Sequence, residues 1–589
     1  MTETSAAESV TTATSTENPV VLSVNGLCVD FPLQKGVLHA VRDVSFDLRR
    51  GRTLALVGES GSGKSVTARS LIQLVERPGQ IVAGQIQLLS GEQPIEISAL
   101  DPKSSQIRAI RGGRIGLVFQ EPMSALSPMH TIGDQIDEAI QLHLKLEKKQ
   151  ARERTIELLR HVEIPAPEQM VDRYSFEYSG GMRQRVCIAL ALACDPEILI
   201  ADEPTTALDV TTQAEILELI AQLRKQRGMA VLLITHDMGI VAEVADEVAV
   251  MRRGEIVEHG SVDTIFYAPQ HAYTQLLLDA TLKLEQASAL KQGMVAENGT
   301  QPVLSVRNLC KHFVQEGGWF RKDNRVVKAV EDVSFDLYRG ESLGIVGESG
   351  SGKTTVGRMI MRILEPTSGS VLYTGSDQIS YDVMKLRKKD LKRYHSVVRL
   401  VFQDPFASLN PRMTVMQIVA DPLKAHRIAQ GRELEQRVAQ LLEMVGLSPD
   451  MMDRYPHAFS GGQRQRIGIA RALALDPQVI IADEATSALD VSIRSQILDL
   501  LLDLQKRLDL SFIFIAHDIS VVRYFCDRVL VMHKGRVVEI GEADTTCTTP
   551  AQPYTRALIS AVPNPDPRNK RLLHRTRFNP DVNATASTT

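Results

Sequence analysis

The 589-residue chain lacks any apolar run approaching the ~18 uninterrupted residues of a membrane-spanning helix, so a membrane role has to come through a partner. Its first residues are rich in Thr, Ser, Ala and Glu and do not follow the basic-then-apolar layout of a secretion signal. Cysteine is sparse: Cys28, Cys187, Cys194, Cys310, Cys526 and Cys547 form no C-x-x-C pair and no Cys/His cluster. That spacing argues against a zinc site and against an iron–sulfur cluster, and it predicts reduced, mostly buried thiols. A surplus of positive charge is missing too. The formal net charge is -4, a poor match to a dedicated nucleic-acid binder, which needs a concentrated basic surface.

What is present is ordinary globular material, 43% hydrophobic and 23% charged, in a chain long enough for about two to four domains. The stretch Gly58, Glu59, Ser60, Gly61, Ser62, Gly63, Lys64, Ser65 fits the phosphate-cradling pattern G-x-x-x-x-G-K-[ST]. It follows the apolar run 54–57 and precedes a helical-looking segment, 66–75, so it has the strand–loop–helix context such a loop requires. Glycines let successive backbone N–H groups turn toward phosphate oxygens, and the helix N-terminus adds partial positive charge. Lys64 reaches the outer phosphates and Ser65 is placed to hold Mg²⁺. The stretch occurs twice: Gly347, Glu348, Ser349, Gly350, Ser351, Gly352, Lys353, Thr354 repeats it after a second apolar run.

The repetition extends over a whole domain. "VLSVNGLCVDF" pairs with "VLSVRNLCKHF", "LVFQEP" with "LVFQDP", and "LLITHDM" with "FIFIAHDI". Asp202 and Asp483 stand 281 positions apart, as do His236 and His517, while the loop lysines are 289 apart. Insertions therefore fall between motifs, where loops absorb them. Strand-like runs alternate with helical patterns, which predicts an α/β fold with a mostly parallel sheet in each half. Ile216, Leu219, Ile220 and Leu223 show core-facing helical spacing, and Ile497, Leu500, Leu501 and Leu504 repeat it. Some sixty Leu/Glu/Lys/Arg-rich residues before each S-G-G motif read as a helical insertion. The expected layout is a disordered tail over 1–18, a first domain over 19–281, a surface linker over 282–302, a second domain over 303–562 and a flexible tail over 563–589.

Each half ends an apolar run in two acids, Asp202-Glu203 and Asp483-Glu484. A carboxylate at the C-terminal end of a buried strand is costly unless it serves a cation or a hydrogen-bond network, and that sheet edge is where open parallel sheets bind ligands. Asp202 and Asp483 are read as the Mg²⁺-side acids. Glu203 and Glu484 are read as the groups that polarise an attacking water. Ser179, Gly180, Gly181, Met182 and, in the second half, Ser460, Gly461, Gly462, Gln463 look like anion-binding helix starts aimed outward.

With these motifs in fixed order, the chain from about Val20 to Pro563 resembles the ATP-binding subunits of ABC transporters. The resemblance implies two tandem P-loop ATPase domains, each a RecA-like core with an antiparallel β subdomain and a helical subdomain. It implies ATP and Mg²⁺ at two composite sites in a head-to-tail sandwich. One site would combine the loop Gly58 to Ser65 with Gln120, Asp202, Glu203 and His236, completed by Ser460 to Gln463. The other would combine Gly347 to Thr354 with Gln403, Asp483, Glu484 and His517, completed by Ser179 to Met182. Gln120 and Gln403 would also face the metal, Asp209 and Asp490 would signal across the interface, and Phe31 and Phe313 would stack on adenine. Departures from the family pattern are Tyr178 and Phe459 for leucine, Met182 for glutamine and Ala485 for proline. None removes a charged catalytic group, so both sites are expected to hydrolyse ATP.

The passages "FQEPMSALSP", "FQDPFASLNP", "PQHAYTQLLLDA" and "AQPYTRALISAVP" resemble the dipeptide, oligopeptide and nickel importer branch. That branch implies two integral-membrane permeases, a solute-binding protein acting through them, a peptide-like or glutathione-like cargo and a place on the cytoplasmic face of a bacterial inner membrane. The rival reading is a soluble twin ATPase acting on ribosomes or DNA. Its support is the basic run Lys385, Arg387, Lys388, Lys389, Lys392, Arg393, which Asp390 interrupts and a solvated helix face explains.

Overall fold

A computed structural model of the chain describes residues 18–578 except 34, 207, 292–300, 316–324, 376–377, 403, 405–407 and 488. Gln403 and most of the N-terminal tail therefore lie outside the described residues.

Each half is built on a six-stranded sheet. In the first the order is Glu255–Ser261, Glu247–Arg252, Thr53–Val57, Ala230–Thr235, Ile198–Asp202, Ile115–Val118. All neighbours run parallel except the edge strand Glu255–Ser261. The second half repeats this, with Ser342–Val346 flanked by Ser511–Ile515 and Arg528–His533. The strands that carry the site motifs are apolar apart from Thr53 and the terminal acids because both faces are covered, one of them partly by the antiparallel sheet; every residue of Thr53–Val57, Ile198–Asp202 and Val479–Asp483 is buried. A separate four-stranded antiparallel sheet leads each half, Val20–Pro32 pairing with Val37–Arg49 and Leu304–Gln315 with Arg325–Leu337.

The stripes of the long helices meet the core as their spacing predicts. Ile216, Leu219, Ile220 and Leu223 are buried in the helix Val210–Arg227, and Ile497, Leu501 and Leu504 in Val491–Leu508, with Leu500 half-buried at the edge of the same core. The insertions are helical, Ile132–Leu144 with Lys148–His161 in one half and Val415–Ala425 with Gly431–Met444 in the other. No helix among the described residues is long and apolar enough to cross a membrane. The helix after the first phosphate loop spans Lys64–Ser70, shorter than 66–75. Gln73 turns left-handed at φ 51°, and Arg111 donates to the carbonyls of Ile72 and Gln73 at 2.8 Å, which closes the chain into a turn there.

Two segments read as free in sequence are docked. The stretch expected as a surface linker begins inside the helix Ala272–Leu284, and its next residues lie on the second half. Ser520 donates to Glu285 Oε1 at 2.9 Å, Arg523 donates to the Glu285 carbonyl at 2.8 Å, and Lys291 Nζ donates to the Cys526 carbonyl at 2.7 Å. The tail expected to be flexible from 563 is likewise fixed as far as 578, on the first half through 564–575 and back against its own half at Thr576 and Phe578. Leu572 is 1% exposed and belongs to the first half's core, and Arg575 donates to Glu218 at 3.2 Å. Polar composition hid this, because backbone N–H groups make much of the docking.

Candidate functional site

Both phosphate loops sit at the C-terminal end of their strands, beside the ends of Ile198–Asp202 and Val479–Asp483. Their glycines are required sterically. A Cβ on Gly63, at φ 103°, would lie 2.5 Å from the Ala40 carbonyl, and one on Gly352, at φ 102°, 2.5 Å from that of Ala329. Lys64 Nζ donates to the carbonyls of Gly58 at 2.7 Å and Glu59 at 2.9 Å; Lys353 does the same to Gly347 and Glu348 at 2.7 and 2.8 Å. Burial pushes both ammonium pKa values down, opposed by the facing acids Glu203 and Glu484. The hydroxyls of Ser62 and Ser351 are buried with no hydrogen-bond partner, at matching loop positions. A buried orphan hydroxyl beside a buried lysine suits an incoming phosphate oxygen.

Ser65 Oγ donates to Asp202 Oδ1 at 2.9 Å and Thr354 Oγ1 to Asp483 Oδ1 at 3.0 Å. Burial pushes both carboxyls above their ordinary values. A hydroxyl and a buried carboxylate in contact form an all-oxygen donor pair, the chemistry that suits a hard dication such as Mg²⁺.

Glu203 and Glu484 follow their strands with left-handed backbones, φ 46° and 48°, a conformation that costs a non-glycine residue on the order of 1 kcal/mol. The turn is held by their N–H groups, which donate to the carbonyls of Ile234 and Ile515. Glu203 accepts from Gln120 Nε2 and from Thr206 Oγ1, each at 2.9 Å, and faces His236 Nδ1 at 3.1 Å. Burial raises its pKa, but the hydrogen bond and charge of His236, with Thr206 and Lys64, outweigh it and hold the carboxyl at about 2. Glu484 is also held below its ordinary value, against burial, by His517 and Lys353, although His517 Nδ1 stands farther off at 3.6 Å. Thr206 was not singled out in the sequence; its place three residues after Glu203 is a signal that could have found it.

Ser179 caps the helix Gly180–Ala191 by accepting from Met182 N, and Ser460 caps Gly461–Leu473 with Gln463 closing a reciprocal capping box. These helix starts back onto the helices that follow the Ala-Leu-Asp motifs. A Cβ on Gly181 would be 2.5 Å from Thr212, and one on Gly462 2.5 Å from Ile493. The contacts that cross between the halves come from the starts of those following helices, Val210–Arg227 and Val491–Leu508. Asp490 accepts from Ser60 N and Ser60 Oγ, each at 2.9 Å, and Asp209 accepts from Ser349 N at 3.2 Å. Ser492 adds a hydrogen bond to Glu59 of the opposite loop. Phe31 packs toward Gly79, where an added Cβ would lie 2.6 Å from its ring, and Phe313 is 41% exposed with Lys311 5.3 Å above it.

Comparison with known proteins adds the lineage. A family model described as ABC transporter matches residues 41–206 and 330–487, and one described as oligopeptide/dipeptide transporter, C-terminal region, matches 257–308 and 538–587. The "Glutathione import ATP-binding protein GsiA" of Escherichia coli is 47% identical over 574 residues, 94% of this chain and 91% of that protein. The proteins of the same name from Shigella flexneri and Shigella sonnei are also 47% identical, with the same coverage. Among solved structures, a dimeric ATP-binding cassette in a post-hydrolysis state, bound to ADP and Pi, is 30% identical; the match covers 41% of this chain and 98% of that one, with a TM-score of 0.36.

Proposed function

The chain belongs to the ABC transporter family of ATP-binding proteins, in its oligopeptide and dipeptide branch, and we propose that it powers import of a peptide-like solute, glutathione or a short peptide, through two membrane permeases. A solute-binding protein would deliver the cargo to those permeases, and the ATPase would lie against the inner face of a bacterial membrane. The observation that carries this reading is the pair of crossed contacts, Ser60 to Asp490 and Ser349 to Asp209, which sets each phosphate loop against the opposite half. A nucleotide on either loop then touches both halves, so binding favours closure and hydrolysis releases it.

In this reading Lys64 and Lys353 give up their bonds to loop carbonyls for phosphate oxygens, with the orphan hydroxyls of Ser62 and Ser351 alongside. Ser65 with Asp202, and Thr354 with Asp483, would hold Mg²⁺, with Gln120 as a further oxygen donor in the first site. Mg²⁺ supplies charge neutralisation for the phosphates. Glu203 orients and polarises the attacking water. A carboxyl held at about 2 is a weak proton acceptor, so its main work is orientation, with His236 and Gln120 fixing its oxygens. Glu484 and His517 take the same parts in the second site.

The test is the double variant Glu203→Gln with Glu484→Gln. It should bind ATP as tightly as the wild type while turnover drops by roughly a hundredfold or more. Hydrolysis at the wild-type rate would overturn the assignment of both acids. The ribosome or DNA reading gains nothing, because Lys385 and Arg387 of the basic run pair with Asp382 and Asp390 on an exposed face.

A further inference from the structure

Resting on the ATPase reading of the phosphate loops, we infer that Tyr273 and Tyr554 are positioning residues that set the loop lysines by clamping one peptide group in each loop. Both stand in the first turn of a C-terminal helix, Ala272–Leu284 or Pro553–Ser560, and both are buried. The Tyr273 hydroxyl accepts a hydrogen bond from Glu59 N at 3.1 Å, and the Tyr554 hydroxyl accepts one from Glu348 N at 3.4 Å. Those N–H groups belong to the peptides Gly58–Glu59 and Gly347–Glu348. The carbonyls of the same peptides, on Gly58 and Gly347, accept from Lys64 and Lys353 at 2.7 Å each. One rigid amide is thus gripped at its N–H by the tyrosine and at its oxygen by the lysine.

Glycine makes the grip necessary. Gly58 and Gly347 sit at φ 153° and 149°, and a Cβ on either would lie 2.2 or 2.1 Å from a backbone carbonyl oxygen, so the position is closed to side chains that would stiffen it. A glycine peptide flips readily, and a flipped peptide would take the lysine's acceptor away. An external hydroxyl acceptor holds it in the orientation that keeps the ammonium over the loop. The aromatic rings are themselves immobilised. The Arg252 guanidinium lies 4.8 Å over Tyr273, while Tyr554 stacks on His533 at 4.2 Å with Phe578 edge-on at 5.4 Å.

Neither tyrosine falls within the segments matched as the ATPase domain. Both lie in the segments matched as the peptide-transporter C-terminal region, 257–308 and 538–587. A branch-specific appendage therefore reaches the nucleotide loop of its own half. In the second half it arrives beneath Phe578 of the tail, which is anchored on the first half through Arg575 and Leu572.

The experiment uses the full chain with Tyr273→Phe, Tyr554→Phe and both together, which keep the rings and remove the hydroxyls. Steady-state ATP hydrolysis is measured over a range of ATP concentrations, and hydrogen exchange of the peptides spanning the two loops is measured without nucleotide. The expected result is a KM for ATP raised about fivefold with kcat within twofold of wild type, as befits loss of one hydrogen bond that orders the loop before binding. Amide exchange should rise at the loop of the altered half and stay unchanged elsewhere. Unchanged KM and loop exchange would overturn the inference. So would a general fall in melting temperature with uniformly faster exchange, since that marks a packing role. Wild-type hydrolysis is the control that separates failure of the tyrosine role from failure of the ATPase reading itself.

Discussion

Replacing Glu243 with Gln should free the C-terminal tail from the first half. The carboxylate is 2% exposed in the helix Met238–Val244, and it holds the tail through backbone N–H groups. Oε1 accepts from Asn564 N at 3.0 Å and Arg571 N at 2.9 Å; Oε2 accepts from Arg571 N at 3.1 Å and Leu572 N at 3.3 Å. An amide has the same shape, but one of its two ends is a donor. Since Arg571 N faces both positions, either orientation of the amide sets a donor against a donor there, and against Asn564 N or Leu572 N as well. Hydrogen bonds to a charged acceptor contribute roughly 1.5–3 kcal/mol each, and a buried donor left unpaired adds a penalty, so the docked tail should lose about 3 kcal/mol. At ~1.4 kcal/mol per tenfold, the undocked population rises about a hundredfold. Hydrogen exchange of the peptide covering 564–572 is the direct assay, because the amides that exchange are the ones Glu243 holds. Exchange that stays at the wild-type rate in the variant would refute the account of how the tail is fixed.

Three further outcomes follow from the site. Asp490→Ala removes two hydrogen bonds to Ser60, and Asp209→Ala removes one to Ser349 together with the helix cap Asp209 gives Thr212, so ATP turnover should fall severalfold in each, which paired kinetic measurements would show. Glu203→Gln should flatten the acid limb of stability. The wild-type carboxyl is held at about 2 against an ordinary 4.5, so its contribution is full above pH 4.5 and is lost as the pH falls toward 2. The variant lacks that contribution, so its melting temperature should drop less between pH 6 and 3.5 than the wild type's; an equal drop would count against the His236 pairing. The double acid variant, Glu203→Gln with Glu484→Gln, completes the set by separating ATP binding from turnover.

Much of the fold and the sites could be read from residue order alone, because the relevant chemistry is local. The phosphate loops, the acids ending Ile198–Asp202 and Val479–Asp483, and the stripe Ile216, Leu219, Ile220, Leu223 each lie within a short window whose spacing reports the geometry. The rest depends on contacts that no window spans. Tyr273, which carries no motif, meets Glu59 from 214 residues away, and Asp490 meets Ser60 from 430, a pairing that the family resemblance suggested but no local spacing could place. The left-handed φ of Glu203 was hidden for a different reason, since the bend is enforced by a carbonyl on the neighbouring strand, that of Ile234. Residues 563–578 read as a flexible tail because their composition is polar. Docking there relies on backbone N–H groups gathered by one carboxylate, and main-chain donors leave no trace in composition.

The two docked arms constrain how the sites can open. Residues 285–291 of the first half lie on the helix Ile519–Phe525, and residues 564–572 of the second lie on Met238–Val244, so each half is held by the other's C-terminal extension. Each tie carries several hydrogen bonds, and the tail adds the buried Leu572 and the buried Glu243 carboxylate, whereas the phosphate loops meet the opposite half through a few hydrogen bonds at Glu59, Ser60 and Ser349. Local opening follows the weakest links first. The loops should therefore part from Asp490 and Asp209 while the arms stay joined, which makes the motion a pivot about the arms instead of a separation of the halves. In the second half Phe578 packs edge-on against Tyr554, whose hydroxyl holds the Gly347–Glu348 peptide, so a change in the angle between the halves should be felt at that phosphate loop.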